Sequence, residues 1–209
     1  QLRPQYLGLA AETNLIRALS APAVYAAMVA MANDAASLVR AMNGQLPVLY
    51  ASVQADVAWG PPPAAYQGVE ADFRDFPFNE ALAISSYPYF VFADPDQIPL
   101  DYYTRLAQGR TLPILVVEGG WTSAAVGAVQ STPQKQARYW RRHERVLDSA
   151  KAVALFQLTY TDLDLAAYQP LPPGSVLPLF ALNGVVEASF APKPALATYD
   201  SIFRRPLRP

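Results

Sequence analysis

The sequence contains no cysteine, which excludes disulfide bonds, thiol catalysis and thiolate metal sites. It contains a single histidine, His143, which stands among Arg141, Arg142, Glu144 and Arg145. One histidine excludes a histidine-rich metal site and argues against a serine–histidine–aspartate triad. We therefore expect neither a metal nor a cofactor, and we expect His143 to lie on a solvent-exposed helix face.

A strong excess of charge is also missing. The 209 residues include 16 Lys and Arg and 17 Asp and Glu, a formal net charge of -1. A nearly neutral chain lacks the electrostatic attraction that draws proteins to nucleic acid or to an anionic membrane. The apolar segment Ala21–Met42 is interrupted by Asn33, Asp34 and Arg40, whereas a membrane span takes about 20 apolar residues with few or no charges. We expect no nucleic acid and no membrane as partner.

A signal peptide is not visible either, and the first residue is Gln1. We therefore expect a processed chain or a fragment. The length is enough for one domain with a sizeable core, or for one lobe of a larger fold. The lack of cysteine does not determine the compartment.

The most informative stretch is Leu112–Trp121, with the sequence LPILVVEGGW. Its apolar, β-branched run is typical of a parallel strand buried on both faces. The run ends at Glu118, and barrel and open-sheet enzymes place their chemistry at the carboxyl ends of such strands. Gly119 and Gly120 would permit a sharp turn there. A strand followed by a turn with an exposed glutamate explains the stretch equally well.

Similar runs predict further strands at Tyr6–Ala10, Pro47–Val53, Ala81–Ser85 and Ala152–Leu158, with a short extended segment at Phe180–Val186. Capping and breaker residues predict helices between them. These helices run from Pro22 to about Met42 with Asn43-Gly44 as the stop, over Pro99–Gln108, over Gln134–Lys151 after Ser131-Thr132-Pro133, and from Lys193 to about Phe203.

Strands and helices thus alternate, which is typical of an α/β fold with a parallel sheet. Right-handed crossovers place the carboxyl ends of all strands on one rim. We expect the polar and aromatic residues that follow the strands to gather there, namely Glu12, Gln54, Tyr87, Glu118 and Tyr160.

Two of these segments resemble motifs of the large clan of retaining glycoside hydrolases with a (β/α)8 (TIM) barrel. Leu7–Asn14 resembles its strand-four motif, and Ile114–Trp121 resembles its strand-seven motif. Leu82–Pro88 resembles strand six of galactanase-like and cellulase-like members, and Phe180–Gly184 followed by Lys193–Ala195 resembles the closing segment. The resemblance covers nearly the whole chain. It implies a partial barrel of about strands four to eight, a single lobe over residues 1–209 that forms the C-terminal part of a glycosidase domain.

The resemblance also implies a function, hydrolysis of O-glycosidic bonds in an oligosaccharide or polysaccharide by double displacement. Glu118 matches the nucleophile and Glu12 the acid/base. The substrate-binding candidates around them are Asn14, Gln54, Trp59, Tyr87, Trp121 and Tyr160; ordinary packing or loop hydrogen bonds are the alternative for each. We interpret Asp56, Asp162 and Asp164 as turn or surface residues. Members of the clan favour a secreted or periplasmic location.

The chain departs from the clan in two respects. Ala11 stands where the clan usually has an asparagine that hydrogen-bonds the sugar 2-hydroxyl. Strands one to three are absent, and a full barrel takes about 250 residues. A lobe of strands four to eight leaves two open sheet edges, so we expect a second copy or a missing N-terminal barrel half to cover them. The alternative functions are a catalytically degenerate lobe that binds carbohydrate or assembles with another chain, and a transglycosylase.

Overall fold

A computed structural model describes residues 3–42, 46–61 and 63–206. The predicted helix stop at Asn43-Gly44 lies outside the described residues. The strands are β1 (Tyr6–Ala10), β2 (Val48–Ala51), β3 (Val53–Gln54), β4 (Leu82–Ser86), β5 (Ile114–Gly119) and β6 (Ala154–Leu155). Each of them agrees with a predicted strand to within a few residues, except that β6 is much shorter than expected.

All pairings between these strands are parallel. One sheet has the order β1-β2 and the other β3-β4-β5-β6. Only Ser52 separates β2 from β3, so the two sheets are consecutive parts of one curved wall. The predicted α/β class, parallel βα units of a partial barrel, is confirmed.

The helices are α1 (Thr13–Leu19), α2 (Pro22–Arg40), α3 (Ala55–Trp59), α4 (Glu70–Asp75), α5 (Pro133–Ala150), α6 (Leu177–Phe180) and α7 (Leu196–Phe203). The predictions for α2, α5 and α7 are confirmed. The predicted helix over Pro99–Gln108 is wrong, because this segment consists of turns and the 3-10 turn Thr104–Ala107. The sequence analysis missed α1 and α3, which are too short for a 3.6-residue period to show.

The core lies between β4, β5 and helix α5. Every residue of β4 is buried, as expected for a strand covered on both faces. Helix α5 begins at Pro133, with Thr132 Oγ1 accepting a hydrogen bond from the Lys135 N–H at 3.1 Å. It buries one face that includes Trp140 and Val146.

His143 belongs to that buried face, so the prediction of a solvent-exposed histidine is wrong. Its side chain is stacked on Tyr139, with ring centroids 4.9 Å apart, and its Nε2 lies 2.7 Å from the Tyr103 hydroxyl. Burial lowers the pKa of His143 to about 3, because it disfavours the charged imidazolium. The arginines beside it in sequence point elsewhere, since the helical period groups His143 with the residues three and four positions before it.

The closing segment is held by a buried ion pair. Lys193 Nζ lies 2.5 Å from Asp162 Oδ1 and also donates to Ser123 Oγ at 2.8 Å and to the Gly184 carbonyl at 3.0 Å. The expectation that Asp162 is a turn or surface residue is therefore wrong. Extended structure is present only around Val186, which bridges Thr161 in parallel, whereas Phe180 ends α6.

Helix α2 buries little of its surface. Ala32 and Ala36 are its buried residues, whereas Val24, Met31 and Leu38 are each more than half exposed. By length and composition alone, α2 meets the criterion for a helix that crosses a membrane, and it is the single such helix in the described part of the chain. Core helices of globular domains and signal sequences meet the same criterion, so it is weak evidence. Helix α2 also packs on β1. The absence of a membrane partner stays a prediction.

Candidate active site

Three neighbouring strands bring polar residues together at their carboxyl ends. The register pairs Gln54 of β3 with Ser85 of β4, and Ser85 with Glu118 of β5. The pairing of β4 with β5 shifts just before this point, because Ile84 pairs with Val116 and the next residue pairs with Glu118. Such an irregularity re-aims the side chain that follows it.

Glu12 follows β1 on the same rim and has a left-handed backbone conformation, with φ 50° and ψ 44°. A non-glycine residue pays about 1–2 kcal/mol for this conformation, and such residues concentrate at functional sites. Ser52 holds it in place. The Glu12 N–H donates to Ser52 Oγ at 3.1 Å, and the Thr13 N–H donates to the Ser52 carbonyl at 3.0 Å.

The carboxyl group of Glu12 is half-buried, and its pKa is raised. Burial is the largest cause, and the charge of Glu118 acts in the same direction, whereas a hydrogen bond from Ser85 lowers the pKa. A raised pKa keeps a proton on the carboxyl at higher pH, which is what a general acid requires. The influence of Glu118 on Glu12 also shows that the two carboxyl groups are close enough to interact.

The other carboxylate, Glu118, accepts a hydrogen bond from the Tyr87 hydroxyl. The pKa of Tyr87 is raised far above its ordinary value, by burial first and then by Glu118, so the phenol stays a hydrogen-bond donor. Neither Glu12 nor Glu118 forms a salt bridge with another described residue.

Gly119 is needed for close backbone approach. A Cβ at this position would lie 2.4 Å from the Ser86 carbonyl oxygen. The expected sharp turn at Gly119 and Gly120 is wrong, since neither glycine has a positive φ. The glycine after Glu118 instead lets β5 lie tightly against β4, which fixes the position of the carboxylate.

Asn14 and Gln54 do not fit the expected role of binding sugar hydroxyls. Both are buried, and both polar ends of the Asn14 side chain are bonded to the backbone of Gln54. The Gln54 side chain donates from Nε2 to Asp56 Oδ2 at 2.8 Å. Asp56 is buried as well, so its interpretation as a turn or surface residue is wrong; Asp164 is exposed and caps a 3-10 turn, as expected.

The aromatic candidates also lie mostly in packing positions. Trp121 is 1% exposed, stacks on Tyr139 with ring centroids 5.3 Å apart, and donates from Nε1 to Ser131 Oγ at 2.9 Å. It offers no free face to a sugar. Trp59 stacks on Tyr102 at 5.1 Å and donates to the carbonyl of Tyr102.

Tyr160 is half exposed, and its described ring contact is with Tyr199 of α7, at 6.1 Å. That contact directs it toward the outer helix layer and not toward either glutamate. The structure therefore brings Glu12, Tyr87 and Glu118 together, whereas the ring contact described for Tyr160 is with α7.

Several residues near the carboxylates were not identified from the sequence. Ser52 and Ser85 position Glu12, and the half-buried Phe180 lies 4.7 Å from the ring of Tyr87. The two serines sit at strand ends, so their place in the pattern could have marked them. Phe180 is 62 residues from Glu118 in the printed sequence, and only the fold of the closing segment brings it to Tyr87.

A cavity lies elsewhere, at the amino ends of the strands. It has a volume of about 440 Å³ and is lined by residues that precede β4 and β5, such as Asn79 and Leu112. These mark the amino ends of the strands, whereas barrel enzymes act at the carboxyl ends. The bidentate ion pair of Arg110 with Glu70 borders this hollow, which we interpret as a surface feature. No cluster of three or more potential metal ligands occurs among the described residues.

No protein-family model and no curated protein matches the chain. Solved structures do match it. A β-glucuronidase from Faecalibacterium prausnitzii matches with a TM-score of 0.64 and 16% identity over 98% of this chain and 32% of its own. A β-glucuronidase from Ruminococcus gnavus matches with a TM-score of 0.60 and 13% identity, over 96% of this chain and 32% of its own. A GH53 catalytic domain from Ignisphaera aggregans matches with a TM-score of 0.57 and 18% identity, over 95% of this chain and 59% of its own.

The chain has the fold of part of a TIM-barrel glycosidase. It spans about a third of the glucuronidase chains and less than two thirds of the GH53 domain. The resemblance to TIM-barrel glycoside hydrolases noted in the sequence thus holds at the level of fold.

Proposed function

We propose that this chain carries the two catalytic carboxyl groups of a retaining glycoside hydrolase. The observation that carries the proposal is the meeting of Glu12 and Glu118 at the carboxyl-end rim. There Tyr87 donates a hydrogen bond to Glu118, while burial and Glu118 together raise the pKa of Glu12. Glu118 is thus held by a hydrogen-bond donor, as a nucleophile needs to be, and Glu12 is suited to hold the proton that an acid/base must donate.

The reaction would proceed in two displacements. The Glu118 carboxylate attacks the anomeric carbon, the bond to the leaving oxygen breaks, and Glu12 gives its proton to that oxygen. Glu12, now ionised, takes a proton from water, and the water oxygen displaces Glu118 from the anomeric carbon. Retention requires the two carboxyl groups to be about 5–5.5 Å apart.

The substrate class is an oligosaccharide or polysaccharide. The half-buried rings of Phe90 and Phe180, which flank Tyr87, supply an aromatic surface beside Glu118 for a sugar ring to contact. Trp121 does not serve this purpose, because its ring is buried and stacked on Tyr139.

The test is trapping of the covalent intermediate. A panel of activated 2-fluoro glycosides is incubated with the protein, and peptide mass spectrometry is expected to find the sugar on the peptide that contains Glu118. Glu118→Gln abolishes the adduct. Glu12→Gln still forms it with a good leaving group, since such a group needs no proton, but hydrolyses it slowly. The exposed Glu70→Gln behaves as the unaltered protein.

A second candidate function is favoured by Ala11, which replaces the asparagine usual in the resembled clan. It is a catalytically degenerate lobe that binds carbohydrate or assembles with another chain. Binding of an oligosaccharide by calorimetry without any adduct or turnover would support it and contradict the hydrolase. A transglycosylase would form the same adduct but transfer the sugar to a second sugar in place of water.

We also propose that further chain covers the open edges of the lobe. The row Val24, Met31 and Leu38 lies on one side of α2 at seven-residue spacing, and Val153 and Phe156 are more than half exposed beside β6. An N-terminal barrel half would cover both flanks at once, whereas a second copy would have to cover them through one symmetric interface. Light scattering of the unaltered protein and of Leu38→Glu distinguishes the two. A dimer that Leu38→Glu dissociates favours a second copy, whereas a monomeric unaltered protein contradicts it. Association of the protein only with a separately added N-terminal barrel half favours that half as the partner.

A further inference from the structure

Asp56 is a third carboxyl group at this rim. It is the second residue of α3, directly after the end of β3, and it is 2% exposed. It forms no salt bridge with another described residue. A buried carboxylate without a cation is costly, so its presence calls for an explanation beyond packing.

The contacts of Asp56 join two strand ends. Its Oδ2 accepts a hydrogen bond from Gln54 Nε2 at 2.8 Å, and its Oδ1 accepts a weaker one from the Tyr87 N–H at 3.4 Å. Tyr87 is the residue whose hydroxyl donates to Glu118. Tyr87 therefore links the two carboxyl groups, because its backbone N–H donates to Asp56 and its hydroxyl donates to Glu118.

The side chain of Gln54 provides a second, independent observation about Asp56. The side chain of Gln54 is buried, and its Oε1 has no hydrogen-bond partner among the described residues. A buried acceptor without a partner costs about 1–3 kcal/mol. The amide is thus held through its nitrogen alone, and Asp56 is the group that holds it.

The titratable groups that act on Asp56 come from two directions. Glu12, at the end of β1, raises its pKa through like charge, and the phenols of Tyr89, Tyr102 and Tyr103 interact with it from the turns after β4. Burial is the largest cause, and the pKa of Asp56 is raised to about 7, although hydrogen bonds from the backbone and from Gln54 oppose the shift. Its charge therefore changes in the neutral range.

We propose that Asp56 is a positioning residue of the site, which aligns Tyr87 on Glu118 through its contacts with Gln54 and the Tyr87 backbone, and whose carboxyl is electrostatically coupled to that of Glu12. The consequence for catalysis rests on the proposed hydrolase function. The link between Asp56 and Glu12 does not, because two interacting carboxyl groups titrate as a coupled pair whether or not a substrate is turned over.

The first test measures this coupling directly. Protein labelled with ¹³C at the glutamate carboxyls is titrated by NMR, and the Glu12 resonance is assigned by its loss in Glu12→Gln. We expect a second inflection of the Glu12 resonance near pH 7 in the unaltered protein, and its disappearance in Asp56→Asn. An identical Glu12 titration in the two proteins would overturn the proposal.

The second test measures positioning. Asp56→Asn keeps the shape and removes the buried charge, so it is expected to fold, and Asp56→Ala removes the contacts as well. We expect kcat to fall by about tenfold in Asp56→Ala, with KM changed by less than about twofold, because Asp56 does not touch the substrate. Asp56→Asn should change the pH profile near 7, whereas the exposed Asp164→Asn should change neither property.

The two tests separate this inference from the hydrolase proposal. If the unaltered protein turns over no glycoside, the function is wrong, and the NMR titration still decides whether Asp56 acts on Glu12. If the protein is active but kcat and the pH profile are unchanged in Asp56→Asn and Asp56→Ala, the positioning role is wrong. Should Asp56→Ala fail to fold, the isosteric Asp56→Asn decides alone.

Discussion

Asn14 and Gln54 exchange two hydrogen bonds across the rim: the Gln54 N–H donates to Asn14 Oδ1 at 2.7 Å, and Asn14 Nδ2 donates to the Gln54 carbonyl at 2.8 Å. The pair links the first turn of α1, next to Glu12, with the end of β3. The Asn14 side chain therefore fixes the position of Glu12 relative to β3, and it is not available to contact a sugar.

Replacing this amide should destabilise the protein. Asn14→Ala removes both hydrogen bonds that the side chain makes to the buried backbone of Gln54, and we expect the free energy of unfolding to fall by about 1–3 kcal/mol. Urea denaturation measures it, with Gln134→Ala on the exposed start of α5 as a control that changes little. An equal, small effect of both variants would show that the exchange contributes no stability.

The Tyr87 hydroxyl should matter for turnover more than for folding. Tyr87→Phe removes the hydrogen bond to Glu118 while keeping the packed ring. Hydrogen bonds to charged groups contribute about 1.5–3 kcal/mol, so we expect kcat to fall roughly tenfold to a hundredfold with little change in thermal stability. Tyr66→Phe is the control, because its hydroxyl donates to the Arg105 carbonyl and not to a glutamate. A kcat that is unaltered in an active Tyr87→Phe would exclude a role for this bond.

His143 should stay neutral in the folded protein at acidic pH. Its pKa is lowered to about 3, below the value of about 6.5 that an unfolded chain has, so the unfolded state binds the proton first. The stability contribution is fully present above pH 6.5 and is lost as the pH falls toward 3. Between pH 6.5 and 4.5 the loss is about 3 kcal/mol at most.

Two measurements check this. The imidazole of the single histidine gives two ¹⁵N NMR signals, one for each ring nitrogen, and both should remain those of a neutral ring down to the pH at which the protein unfolds. His143→Gln should show a smaller loss of stability between pH 6.5 and 4.5, since glutamine takes up no proton. A ring that titrates near 6.5 in the folded protein would contradict the buried position.

The buried pair of Lys193 and Asp162 should be far more important than the surface pair of Arg204 and Asp200. Lys193→Met leaves an unpaired carboxylate inside the protein, at a cost of about 3–5 kcal/mol. Arg204→Ala, whose partner lies 3.7 Å away at the surface, should cost less than about 1 kcal/mol. The double variant Lys193→Met with Asp162→Asn should be more stable than Lys193→Met alone. Equal losses of stability in Lys193→Met and Arg204→Ala would show that the pair of Lys193 and Asp162 is exposed to solvent.

Local pattern was sufficient for the elements that carry the candidate site. The apolar runs that precede Glu12 and Glu118 were readable as strands from their continuous apolar sequence, which is typical of parallel strands. The alternation with helices then implied a common rim, since right-handed crossovers place the carboxyl ends on one side. The bond between Tyr87 and Glu118 follows from that common rim.

The local sequence pattern did not predict which side chains outside the strands are buried. His143 was expected in solvent because of its charged neighbours, and Trp121 was expected at the sugar, yet both are buried. Burial depends on which elements pack against each other, and no window of sequence contains that information. Residues joined across 30 or more positions, such as Asp162 with Lys193, are in the same situation.

The parallel α/β architecture and the two carboxylates at strand ends can be read from the spacing of apolar residues along the chain. The hydrogen bonds between Asn14 and Gln54, the burial of Asp56 beside Tyr87 and the internal pairing of Lys193 are known only from the folded structure. Those outcomes depend on desolvation and on hydrogen-bond satisfaction between distant segments, which arise when the strands assemble.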